Sequence, residues 1–222
     1  QTAEDAVLAS IHKIESWETK AALVEDLGYF GTGSAVLPLS SLLASKDEHD
    51  HVRWAAAISL GRLPEVEPLT SLVSGLSSSH EWIQAATLLS CARQVSKESA
   101  EMEALFASYL GAGHSPIMNR YACLGLSKLS SHTEATVTAL SGVLGDDDLP
   151  IGVQGYAALA ISVGLSQVSP RAISDIGEIL GRFSRFPAID TKEPEAIWGI
   201  EFLAELASLL ELNEVSTTLH SV

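Results

Sequence analysis

The sequence predicts an all-α fold, a right-handed α-α superhelix (a solenoid) of about five to six helix pairs. Two kinds of apolar segment alternate along the 222 residues, giving a period of about 30 to 37 residues per pair. One kind repeats an apolar triplet at i, i+3, i+4, a spacing that places three side chains on one face of a helix. Turn-forming residues cluster between the segments.

Each unit opens with a segment whose middle is made of small residues. It reads Thr19 to Gly28, Val52 to Gly61, Ile83 to Ala92, Met118 to Ser127 and Val153 to Ser162. Ala21 and Ala22, Ala55 and Ala56, Ala85 and Ala86, Ala122 and Cys123, and Ala157 and Ala158 occupy the centres, where small side chains let a neighbouring helix come close. In the second segment, Val36-Leu37-Pro38-Leu39-Ser40-Ser41-Leu42-Leu43 matches Val66-Glu67-Pro68-Leu69-Thr70-Ser71-Leu72-Val73. The triplet then returns as Phe106, Tyr109 and Leu110, as Leu140, Val143 and Leu144, and as Ile176, Ile179 and Leu180.

Gly31-Thr32-Gly33 and Gly61 to Pro64 separate helices within units. Asp47 to Asp50, Ser77 to Ser79, Gly111 to Pro116 and Gly145 to Pro150 separate successive units. Ser34 is the expected N-cap of a second helix, and Pro38 and Pro68 fall in or near a first turn, where a missing N–H does little harm. Ala3 to Ile14 reads as one helix, the second of an incomplete unit. Residues 1–222 are therefore expected to form one domain: a partial helix over 1–14, five repeats over 15–181, and a connection with an acidic capping helix over 182–222.

The pattern of Asp50, Val52, Arg53, Ala55, Ala56, Leu60 and Gly61 resembles the HEAT-like repeat family, in particular its short bacterial form first recognised in phycobilisome lyases. The resemblance covers most of residues 15–181. The Asp50 and Arg53 positions become Trp17 and Lys20, Glu81 and Gln84, Pro116 and Asn119, and Ile151 and Gln154 in the other units. A ladder of Asp–Arg contacts, which the resemblance implies, is therefore expected to be incomplete. The resemblance implies a scaffold, a regulatory arm or, as an alternative, a chromophore-lyase-like enzyme.

Asp and Glu number 28 against 13 Lys and Arg, a formal net charge of −15. Such a surface repels phosphate backbones and anionic membranes, so neither nucleic acid nor membrane is an expected partner. The acid excess reads either as a solvated face or as a surface attractive to a basic partner. Leu149 to Ser169 carries no charge but is interrupted by Pro150, Gly152, Gln154 and Gly155; it reads as a buried central helix rather than a span. Cys91 and Cys123 lie in apolar helical stretches and are expected to be buried free thiols, which favours a cytoplasmic setting. Gln1 in place of Met leads us to expect either a processed product or part of a larger polypeptide.

His49, His51, His80, His114 and His132 fall in expected turns or helix starts and are read as exposed. Stacked units put the equivalent positions about 10 Å apart, too far for shared ligation of one metal. Asp146-Asp147-Asp148 lacks the alternation of a calcium loop. No nucleophile elbow, phosphate loop or metalloprotease pair occurs. No catalytic, cofactor or metal residue is therefore assigned, and no cofactor is expected. The expected function is a protein-interaction scaffold binding a protein partner. Trp17, Trp54 and Trp82 start successive first helices, staggered by a residue or two, and pack between units or reach out as aromatic anchors; with Arg53 they are the candidate partner-binding residues.

Overall fold

A computed structural model describes residues 2–64, 67–95 and 99–163. The chain divides into two compact units, residues 1–95 and 96–222. Among the described residues every regular element is helical, and the fold is an all-α solenoid of helix pairs.

The first unit runs α1 (Ala3–Ser10), α2 (Trp17–Phe30), α3 (Val36–Ala44), α4 (Asp50–Leu60), α5 (Pro68–Ser71), α6 (Val73–Leu76) and α7 (Glu81–Gln94). Helices α2, α4 and α7 stack side by side as one layer, while α3 packs on α4 and α6, and α6 on α7. The second unit holds α8 (Ala100–Ala107), α9 (Pro116–Leu126), α10 (Glu134–Leu144) and α11 (Ile151–Val163). There α9 packs on α11, α10 on α11, and α8 on both α9 and α10. The first helices of successive pairs begin at residues 17, 50, 81, 116 and 151, so a repeat takes 31 to 35 residues.

Small residues set the spacing in the α2–α4–α7 layer. A Cβ added to Gly28 would stand 2.9 Å from the Ser59 Cα, and one added to Gly61 would stand 2.8 Å from the Ser90 Cα. The same glycine–serine contact thus recurs one repeat later, backbone against backbone. Ser59 Oγ donates to Val24 O at 2.8 Å across the first of these contacts, whereas the buried Ser90 Oγ has no partner. Cys91 and Cys123 are buried free thiols; burial pushes the Cys91 thiol up to about 12 and the Cys123 thiol higher still. Val153 to Ala158 in α11 are all buried, as its uncharged sequence requires, and no helix among the described residues is long and apolar enough to cross a membrane.

Several local expectations are corrected. The first helix stops at Ser10 and a 3-10 turn, Ile11–Lys13, replaces its end. The Ser10 hydroxyl donates back to Ala6 O and Val7 O in this last turn, alongside the Ile11 N–H bond to Val7 O. Ser34 is not an N-cap: Thr32 accepts from Ser34 N, and Ser34 lies in the 3-10 turn Gly33–Ala35 that leads into α3. The triplets Leu39, Leu42, Leu43 and Leu140, Val143, Leu144 are buried throughout. The Phe106 triplet is not, because α8 ends at Ala107; Phe106 is buried, but Tyr109 and Leu110 are half-buried in the following turn. The second helix of the Asp50 unit breaks at Leu72, within a Thr-Ser-Leu-Val-Ser-Gly run poor in strong helix formers, and Val73 is exposed. The Ile176 triplet, the connection after residue 181 and the capping helix lie outside the described residues.

The layer contact is directly testable. Gly61→Val forces branched carbons against the Ser90 backbone and should cost about 1–3 kcal/mol in urea unfolding. A stability equal to the parent's would show that the two helices do not need this approach.

Candidate functional site

The starts of the first helices in the first unit are positioned by polar clasps. Arg53, one turn into α4, is 7% exposed; its Nε donates to Leu43 O at 3.2 Å and its Nη1 to Asp50 Oδ1 at 3.2 Å. Arg53 therefore points into the molecule and ties α4 to the end of α3. The equivalent side chains do related work without the charge. Gln84 Nε2 donates to Ser78 O, Asn119 Nδ2 to the Gly111, His114 and Ser115 carbonyls, and Gln154 Nε2 to Asp146 O and Leu149 O. Asn119 Oδ1 also accepts from Gly111 N at 2.7 Å. Lys20 departs from this pattern and reaches forward to Glu48 Oε2 at 2.9 Å. Of the Asp–Arg ladder, the rung Asp50–Arg53 is present, and amides clasp the turns in three other repeats.

Above Arg53 an exposed run of rings crosses three repeats. Trp17 at the start of α2 stacks on His49 with centroids 4.2 Å apart and planes 9° from parallel. His49 lies 5.3 Å from His51, His51 lies 5.2 Å from Trp82, and Trp82 lies 6.1 Å from His80. Trp17 and Trp82 are 37% and 38% exposed, and the three histidines are exposed. The staggered tryptophans thus join one surface because histidines fill the gaps, which the tryptophan spacing alone did not reveal. Trp54, half-buried in α4, is not one of the stacked rings.

Local geometry fixes the histidines. His49 is the N-cap of α4, its Nδ1 accepting from His51 N at 3.2 Å. His80 Nε2 donates to Asp50 Oδ2 at 2.9 Å, so Asp50 joins His80 to Arg53. Between the α3–α4 and α6–α7 turns these residues line an open groove of about 470 Å³. Glu18 borders Trp17; its own backbone N–H, the Ser16 hydroxyl and nearby His49 hold its carboxyl below the ordinary range. Among the described residues, no three His, Cys, Asp or Glu side chains gather to hold a metal ion.

Two buried acids escaped the sequence reasoning. Glu4 of α1 accepts from Thr32 N at 2.9 Å and from Ser34 Oγ at 2.7 Å, and these donors lower its pKa. Glu103 of α8 accepts from Thr133 N, the N-cap of α10, at 2.6 Å. Burial alone would raise the Glu103 pKa, but hydrogen bonds from Thr136 and Thr133 bring it below normal. In each case a second helix latches the turn that starts the next second helix. The readable signal was an acid on the inward face of a helix, followed 28 or 30 residues later by a turn threonine.

His132 is a correction. It is buried, not exposed, because α11 covers the turn between α9 and α10; its Nε2–H donates to Ala160 O at 2.9 Å and its Nδ1 has no partner. Burial pushes its pKa below 6.5, against opposing pulls from the Ala160 carbonyl and Glu103.

Two predictions concern the second unit. Asn119→Ala removes the buried side chain that pairs with Gly111 N–H and three carbonyls and should cost about 1–3 kcal/mol; Asn119→Asp, which sets a carboxylate against those carbonyls, should cost more. Urea unfolding compares them. Because His132 protonates more readily in the unfolded chain than in the folded one, falling pH below 6.5 should weaken the fold. The Glu103 contribution should be lost only further down, as pH falls below 4.5 through its lowered pKa. Stability measured at pH 7.5 and 5.5 should fall less in His132→Gln than in the parent.

Residues 4–92 match the family described as HEAT repeats. No curated protein matches the chain. The crystal structure of an engineered protein is similar in fold, with a TM-score of 0.56 at 16% identity over 100% of this chain and 98% of that one. Repeat interval and clasped turns agree with that match: residues 4–92 are similar to HEAT repeats.

Proposed function

We propose that the chain is a protein-interaction scaffold whose first unit docks a basic segment of a partner protein along the rings from Trp17 to Trp82. HEAT repeats typically serve protein interaction, which supports the general class. The observation that carries the site is the exposed, continuous contact of Trp17, His49, His51 and Trp82 across three repeats. Large rigid rings give contact area at small entropic cost, which is why tryptophan is enriched among interface residues that dominate affinity.

Charge supports a basic occupant. Exposed Glu18 and Glu81 flank Trp17 and Trp82 in sequence, Lys20 and Arg53 are committed to Glu48 and Asp50, and exposed Lys46 also lines the groove. A lysine or arginine laid on an indole face gains about 0.5–2 kcal/mol, according to how far water is excluded. Arg53 serves this surface indirectly, by holding α4 and Asp50 in place.

Titration with an arginine-rich peptide, followed by tryptophan fluorescence at pH 8, tests the assignment. Trp17→Ala with Trp82→Ala should weaken binding at least tenfold, about 1.4 kcal/mol. Glu25→Gln with Asp26→Asn, at the far end of α2, should change it little. Equal losses in both double variants would reduce the binding to bulk charge attraction and sink the docking surface.

A further inference from the structure

Three imidazoles stand in the ring strip, and imidazole is the side chain whose charge ordinarily changes between pH 5 and 8. Charged groups reach this place from every element that meets there. Glu15 and Glu18 come from the start of α2, with Lys20 one turn further in. The α3–α4 turn supplies Lys46, Asp47 and Glu48, and α4 supplies Asp50 and Arg53. Helix α7 adds Glu81, and the turn before it, Ser77 to Ser79, adds no charge. These segments carry six acids and three bases, with Glu48 paired to Lys20 and Asp50 to Arg53. Three imidazolium charges would cancel that excess.

We propose that protons gate the docking surface: neutral His49, His51 and His80 admit a cationic segment, and their protonation expels it. This rests on the docking reading above and concerns the regulation of the same surface. The histidines are not bystanders to the binding face. His49 stacks on Trp17, and His51 lies between Trp17 and Trp82, at 4.9 Å and 5.2 Å. A charge on either ring lies where a partner's guanidinium would rest. With His49 and His51 5.3 Å apart, two imidazoliums and a bound cation would crowd one small area. His80 acts differently: it already donates to Asp50, which Arg53 also holds, so its added charge turns that cluster from neutral to positive. Linkage makes the effect reciprocal, so binding of a cation must release protons wherever protons weaken binding.

Calorimetric titration of an arginine-rich peptide into the full chain tests this at pH 8 and pH 5.5. Binding should weaken at least tenfold at pH 5.5. At pH 6.5, heats measured in buffers of different ionisation enthalpy should report proton release. His49→Asn, His51→Gln and His80→Gln combined keep hydrogen-bonding side chains and should bind alike at both pH values. Wild-type affinity independent of pH, or full pH dependence in the triple variant, overturns the gate and leaves the docking surface standing. Absence of binding at pH 8, or binding indifferent to Trp17 and Trp82, removes the docking surface and the gate together.

Discussion

The close approach of α2, α4 and α7 is the constraint on which the rest of the first unit depends. Ordinary helix pairs lie 8–10 Å apart, held off by their side chains. Gly28 on Ser59 and Gly61 on Ser90 let backbone meet backbone, once per repeat. The buried Ala55, Ala56, Ala85 and Ala86 keep the remainder of the layer thin. Helix starts held this near can be spanned by a histidine side chain. A wider layer would separate the same rings and leave isolated surface aromatics.

The clasps at the helix starts solve a second problem, the carbonyls left open where one second helix ends and the next repeat begins. A charged arginine can satisfy them, but burial then demands a partner, which Asp50 supplies. Asn119 and Gln154 reach the same kind of carbonyl with neutral donors and need no counter-ion. This explains how the repeats diverge in sequence at that position without losing the turn. It also frees those repeats from carrying an acid at the preceding position, where Pro116 stands in one of them.

Periodicity exposed the architecture because helix pairing is a pattern of apolar spacing, and Leu39, Leu42 and Leu43 are buried as that spacing requires. Helix ends were less legible. Ser34 and Leu72 were decided by side-chain hydrogen bonds and weak helix propensity, which act over a few residues and leave the apolar period untouched. The candidate site was half visible. Trp17 and Trp82 could be named, but their connection through His51 depends on layer spacing, a tertiary quantity. An arginine at a helix start reads as a surface residue by its type, and its burial follows from the Leu43 carbonyl it reaches. His132 looked like a turn residue because nothing in its own segment announces that α11 lies across it.

The acids beside the strip have a structural cause as well as the proposed one. Glu18, Asp50 and Glu81 lie in the first turns of α2, α4 and α7, where a negative charge offsets the positive end of the helix dipole. Three parallel helix starts would otherwise present three partial positive charges along one edge. Part of the carboxylate charge is thus spent within the fold, and the field offered to a partner is smaller than a count of acids suggests. On the proposed docking, discrimination among cationic segments would fall to the rings, whose faces accept a planar guanidinium more completely than a compact ammonium. The proposed docking therefore predicts tighter binding of an arginine-rich segment than of a lysine-rich one of equal charge.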